Sequence, residues 1–195
     1  MSDFLVAAPL RIEAALISSA TRGALVHKTG MGPEKAKAAV GELSARASGA
    51  LVVLGFCGGL DGHSVPGEVI VAQDVYAAVD EGHPEERIEC ELAQPLLGRL
   101  TGLGMKVRVG SVVCVSKIAV GERRAQLQSG GAIAVDMESV WLGRGAAGRP
   151  FGVVRVVLDS PSHELLRVRA AAGALRAAIA LRKVAGALHD FSPGD

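Results

Sequence analysis

Residues 152–159 read Gly-Val-Val-Arg-Val-Val-Leu-Asp, a run of β-branched and other apolar side chains broken only by Arg155 and closed by an acid. Its length is that of a strand, and its continuity suits a strand covered on both faces, because a strand with one wet face would alternate apolar and polar residues. Outward from it, similar runs recur at 4–8, 50–54, 68–72, 107–115 and 132–135. Between them lie patterns of helical period at 33–46 (with Pro33 in the first turn), 93–103, 121–128 and 137–147, and an Ala/Leu/Arg segment at 162–188. Strands alternating with covering helices predict an α/β fold, a three-layer α/β/α sandwich around a central, mostly parallel or mixed sheet. At 195 residues, without a linker or internal repeat, the chain is expected to form one domain over 1–195.

Composition narrows the function classes. Hydrophobic residues make up 49% and charged residues 21%, which is enough apolar material for a core and unlike the makeup of a disordered chain. The formal net charge is +1 and no basic cluster alternates with aromatics, so no nucleic-acid partner is expected. The first residues carry Asp3, Arg11 and Glu13 in place of a signal peptide's unbroken apolar core. No apolar run reaches the roughly 18 to 20 residues of a membrane span, and a cytoplasmic location is expected. Cys57, Cys90 and Cys114 lack CxxC spacing. His27, His63, His83, His163 and His189 form no ligand pair, so neither a metal nor another cofactor is expected.

Open α/β sheets bind small ligands beyond the carboxyl ends of their strands. The residues at those places are Glu13, the Thr29-Gly30-Met31-Gly32 turn, Gly55-Phe56-Cys57-Gly58-Gly59 (also read as a turn), Asp136-Met137-Glu138, and Asp159. Gly30, Gly32, Gly58 and Gly59 suit turns that need positive φ or a close backbone approach, and such turns can also cradle anions. The polar stretch 80–91, with Gly82 and Pro84, reads as a surface loop. Taken alone, the three acids Glu13, Glu138 and Asp159 fit caps or solvated helix starts as well as a site.

Four segments resolve that ambiguity by resemblance. TGMGPEKAKAAV (29–40), LGFCGGL followed by PGEVIVAQDV (54–60 and 66–75), AVDMES (134–139) and RVVLD (155–159) together resemble the nucleoside phosphorylase and methylthioadenosine/S-adenosylhomocysteine nucleosidase superfamily, in that family's order and over most of the chain. The resemblance implies cleavage of the N-glycosidic bond of a purine nucleoside. It implies Glu138 on the ribose hydroxyls with Met137 packed against the sugar, and Asp159 as the acid facing purine N7. It places Arg155 and Phe56, Cys57 and Gly58 in the substrate pocket, and Glu13 as the base that activates water. The purine's other edge would meet backbone at 116–119, including Ile118 and Ala119, where no aromatic stacking partner stands. Relatives of this kind are usually dimers or larger, so a homo-oligomer is implied.

The chemistry suits these residue types. A carboxylate accepts from two adjacent hydroxyls and favours the cationic sugar of an oxocarbenium-like transition state. A buried carboxylic acid can protonate a leaving base. Leu158 stands where nucleosidases commonly have serine, and Phe56 where they often have a small polar residue. GFCGGL, AVDMES and TGMGP are most similar to the hopanoid-associated branch, which implies a 5′-substituted adenosine of the methylthioadenosine/S-adenosylhomocysteine or adenosylhopane type. A reduced hairpin after Ser18 and a brief loop at 80–91 would leave the 5′ side open. Two alternatives stand beside hydrolysis: phosphorolysis, with Arg11, Gly30 and Gly32 holding phosphate, and a non-catalytic nucleoside-binding protein.

Overall fold

Apolar runs and helical patterns are realised, in a computed structural model, as one eight-stranded mixed sheet and six α-helices over the described residues, 4–21, 25–46, 49–78, 87–162, 170–189 and 191–192. β1 (Phe4–Ala8), α1 (Arg11–Ala20), β2 (Leu25–Lys28), α2 (Pro33–Ala45) and β3 (Ala50–Gly59) come first. β4 (Val69–Ala77), β5 (Arg87–Glu89), α3 (Ala93–Gly102), β6 (Val107–Cys114), α4 (Glu122–Ser129) and β7 (Ala132–Asp136) follow. After them run α5 (Ser139–Gly143), a 3-10 turn at Arg144–Ala146, β8 (Phe151–Asp159) and α6 (Ala170–Ala187).

The expected α/β architecture with a central mixed sheet is present, and its pairing carries one step more than the sequence suggested. β3 pairs in parallel with β1 and β8. β8 turns antiparallel to β4, β4 is parallel to β6, and β6 is parallel to β7. β7 returns to β3 through the antiparallel pairs Gly58↔Val135 and Gly59↔Ala134. Five strands therefore close a circuit, and β1, β2 and β5 extend from it. The final pairing brings the carboxyl ends of β3 and β7 together, beside the end of β8.

Burial explains why the runs are continuous. Every residue of β1 and all but one of β8 are buried, as their two-sided apolar sequences require. α6 sends Ala177, Leu181, Val184 and Ala185 inward at helical spacing onto this core, with Leu188 just past its end, each large side chain contributing about 1.5–3 kcal/mol relative to exposure. Among the described residues no helix is long and apolar enough to cross a membrane.

Several local expectations need correction. Residues 55–59 continue β3 instead of turning, with a register shift against β8 between Cys57 and Gly58, and neither Gly58 nor Gly59 has positive φ. Close approach is what they serve. The helix expected over 137–147 is a five-residue α5 plus the 3-10 turn, which leaves Met137 and Glu138 free of regular structure. Residues 87–89 of the expected loop form β5, antiparallel to β4 with Arg87 4.3 Å over the Tyr76 ring, while 79–86 lie outside the described residues. After Ser18 the described residues form no hairpin: α1 ends at Ala20 and β2, from Leu25, runs parallel to β1. The last helical segment is described from Ala170 onward; residues 163–169 lie outside the described set.

Candidate active site

A cavity of about 220 Å³ opens where these strand ends meet. Its lining includes Pro9, Leu10, Glu13, Met31, Phe56, Cys57, Gly58, Val115, Ile118, Ala119, Arg124, Val135, Asp136, Met137, Glu138, Leu158 and Asp159. The acids Glu13, Glu138 and Asp159, far apart in the chain, thus share one mostly apolar pocket with Met137, Phe56, Cys57, Gly58, Ile118 and Ala119.

Each acid is held differently. Glu13 is the third residue of α1 and almost fully buried; Oε2 accepts the Leu10 N–H at 2.5 Å and Oε1 the Phe56 N–H at 2.6 Å. Burial raises its carboxyl above the ordinary value, against the opposing pull of Arg155 and of those two donors. It is both a helix-start acid and a cavity wall. Glu138 precedes α5 yet makes no cap hydrogen bond with its side chain. Its Oε1 accepts the Gly32 N–H at 2.8 Å, and Asp136 Oδ1 takes the N–H groups of Glu138 and Ser139 instead. Burial pushes Glu138 up to about 7, with Arg155 pulling the other way.

Arg155 lies beneath this wall and does not line the cavity. The fully buried guanidinium meets Asp136 Oδ2 at 2.6 Å and Glu138 Oε2 at 3.7 Å, and donates to Ser139 Oγ at 2.9 Å and Phe56 O at 3.3 Å. Burial disfavours its charge, but Asp136, Glu138 and Glu13 more than offset that and hold the proton more firmly than usual. Room for the cluster comes from Gly55, which pairs with Arg155 across β3 and β8. A Cβ there would lie 2.6 Å from Glu13 Oε1 and 2.8 Å from Arg155 Nη1.

Asp159, at the end of β8, pairs with Arg124 of α4, Nη2 to Oδ2 at 2.5 Å. Arg124 is itself buried, with Nε on Ala119 O at 2.8 Å and Nη1 on Gly59 O at 3.2 Å. This residue is what the sequence reading missed, while Asp136 was placed at a strand end but given no role. The available signal was periodicity, since Arg124 shares the buried face of α4 with Leu127. Cys57 is also in the wall, but burial pushes its thiol up, so it stays protonated.

The proposed phosphate residues are not gathered into an anion cradle. Arg11 is exposed and outside the lining. Gly30 and Gly32 do have positive φ, +97° and +91°, as turn geometry demanded. Their N–H groups are occupied by Pro9 O at 3.0 Å and by Glu138.

A mixed α/β sheet with a carboxylate-rich cavity at its strand ends defines a small-molecule site of the kind such sheets carry. The family is then fixed by comparison: residues 16–186 match the model of the phosphorylase superfamily, and the chain belongs to that superfamily. No curated protein matches it. Among solved structures, the 5′-methylthioadenosine/S-adenosylhomocysteine nucleosidase of Neisseria meningitidis, in complex with methylthio-immucillin-A, is similar with TM-score 0.78 and 16% identity over 96% of this chain and 98% of that one. The futalosine hydrolase of Helicobacter pylori gives 0.80 and 15% over 96% and 97%. The S-adenosylhomocysteine nucleosidase of Streptococcus pyogenes, in complex with 5-methylthiotubericidin, gives 0.74 and 17% over 94% and 95%. At these identities the likeness is one of fold.

Proposed function

We propose that this cavity hydrolyses the N-glycosidic bond of a purine nucleoside. The observation that carries the reading is the convergence of Glu13, Asp136, Glu138 and Asp159 on one buried pocket, with its anion-cradling donors already occupied. Glu138 accepts the ribose hydroxyls and favours the developing positive charge on the sugar, while Met137 packs beside it. Glu13, its carboxyl raised by burial, is the general base for water. Arg155 acts through Glu13, Asp136 and Glu138, whose charges it offsets, and not by touching substrate.

Asp159 delivers the proton to N7. Arg124 beside it fixes the carboxyl by donating to Oδ2, so that the other oxygen faces the base. Arg124 also supplies the polar support that Leu158 cannot. Phosphorolysis is the second reading. It is disfavoured because, among the described lining residues, the one cation is Arg124, already on Asp159, and a phosphate would face four carboxylates. A silent binding protein is the third reading, and the raised carboxyl of Glu13 facing the cavity favours a catalytic base over it.

The substrate we favour is a 5′-substituted adenosine. Support comes from the apolar wall of Pro9, Leu10, Met31, Phe56 and Ile118, with Met31 and Ile118 exposed at the rim, and from the methylthio-bearing ligands named in two of the related structures. Such a wall suits an apolar 5′ group, from methylthio to the lipid chain of adenosylhopane. The test is adenine release from a series of 5′-substituted adenosines. Faster turnover with apolar substituents than with adenosine supports the assignment, and release from none of them refutes it.

A further inference from the structure

A second, larger concavity of about 680 Å³ lies away from the active-site cavity, between the outer face of α6, the α3–β6 turn and the turn before β4. Val65, Leu103 and Ile179 line it and are exposed, and Leu175, one helical turn before Ile179, is 63% exposed beside it. Lys106, Arg176 and Lys183 line it too, with Arg182 exposed next to Lys183. Its carboxylate, Glu68, is already held by Arg108 Nη1 at 3.3 Å.

Cations outnumber acids around this concavity. Residues 92–115 and 170–189 contain six Lys and Arg side chains and no Asp or Glu. Of the six, Arg108 is paired with Asp61 and Glu68, which leaves the cations of α6 and Lys106 to set the charge of this face. α6 itself has three cations, no acid, and two aliphatic residues at i and i+4 on its exposed face. A basic helix with an aliphatic ridge that is too charged to cross a bilayer has the composition of a helix lying on an anionic lipid surface.

We propose that the exposed face of α6, with Leu103, Lys106 and Val65 beside it, docks the protein on an anionic membrane surface. Leu175, Ile179 and Leu103 enter the headgroup boundary, and Lys106, Arg176, Arg182 and Lys183 meet lipid phosphates. The lipid choice rests on charge complementarity combined with aliphatic residues on three separate elements, which a soluble polyanion would leave in water. The inference is independent of the reaction proposed for the other cavity.

Flotation of the full chain with phosphatidylcholine vesicles, with and without phosphatidylglycerol, tests it. Binding is expected only with phosphatidylglycerol, and is lost as salt rises from about 0.1 M to about 0.5 M. Each cation near such a surface is worth about fivefold in affinity, so R176E/K183E should weaken binding by about 25-fold or more. K106E, on a different element, should act in the same direction, and L175S/I179S should weaken binding while preserving the salt response. Circular dichroism and adenine release in solution should match wild type for all of these variants. The proposal is overturned by absence of lipid-dependent binding, by binding that R176E/K183E leaves intact, by heparin retention without vesicle binding, or by a dimer that I179E dissociates in a protein that ignores vesicles.

Discussion

Titrating Glu138 reads the site's electrostatics directly. Its ordinary value of 4.5 is pushed to about 7, first by burial and against the pull of Arg155. That interval corresponds to about 3 kcal/mol of disfavoured charge, an upper figure because Asp136 and Glu13 share the same guanidinium. A carboxyl raised on folding contributes stability that is complete below 4.5 and lost as pH climbs through about 7, so this group's share of the unliganded protein's stability falls across that window. A nucleoside whose hydroxyls donate to the ionised form reverses the sign for the complex. Binding should tighten with pH, and kcat/KM at pH 6 should lie about tenfold below its plateau above pH 8. The assay is adenine release across pH 5 to 9, paired with melting temperatures with and without a bound substrate analogue. E138Q should stay folded and lose at least about 100-fold in kcat. A flat profile from pH 5 to 8, or an E138Q enzyme with near-native turnover, would refute the reasoning.

Other variants separate the remaining roles. Glu13→Gln should cut kcat by about 10²- to 10⁴-fold with little change in KM, which steady-state kinetics would show. Arg124→Met should lower the melting temperature, since removing one partner of a buried ion pair costs about 3–5 kcal/mol, and should cut kcat by removing the donor that orients Asp159. Asp159→Asn should collapse adenine release, while a nucleoside whose base leaves without protonation loses less; equal losses would make Asp159 a binding residue. Gly55→Ala, which places a methyl 2.6 Å from Glu13 Oε1, should lower activity far more than it perturbs far-ultraviolet circular dichroism.

Much of this fold was legible because its strands are buried on both faces, so β1, β3, β4, β6, β7 and β8 announce themselves as apolar runs. β2 and β5 did not: Leu25–Lys28 and Arg87–Glu89 are short and half-exposed, with no pattern to separate them from loop. The closure of β7 onto β3 rests on two residue pairs far apart in sequence, which local periodicity does not encode. Glycine-rich 55–59 misled in the opposite direction, because its glycines make space for Glu13, Arg155 and Ser64 within a strand and are not a turn signal. Glu13, Glu138 and Asp159 were singled out from strand ends and resemblance together, and the structure brings the three to one cavity. Arg124 escaped because an arginine in a helix ordinarily faces water, and Asp136 was given no role because its neighbours in the motif drew the assignment. Arg155 was found but assigned to substrate, whereas its buried position makes it the counter-charge to the carboxylates.

Hydrolysis itself is tested most directly by incubating the purified protein with 5′-methylthioadenosine in phosphate-free buffer and in buffer with inorganic phosphate, with products resolved by mass spectrometry and phosphorus NMR. The account predicts adenine and the free methylthio sugar at equal rates in both buffers. Turnover that requires phosphate and yields a sugar 1-phosphate would contradict it.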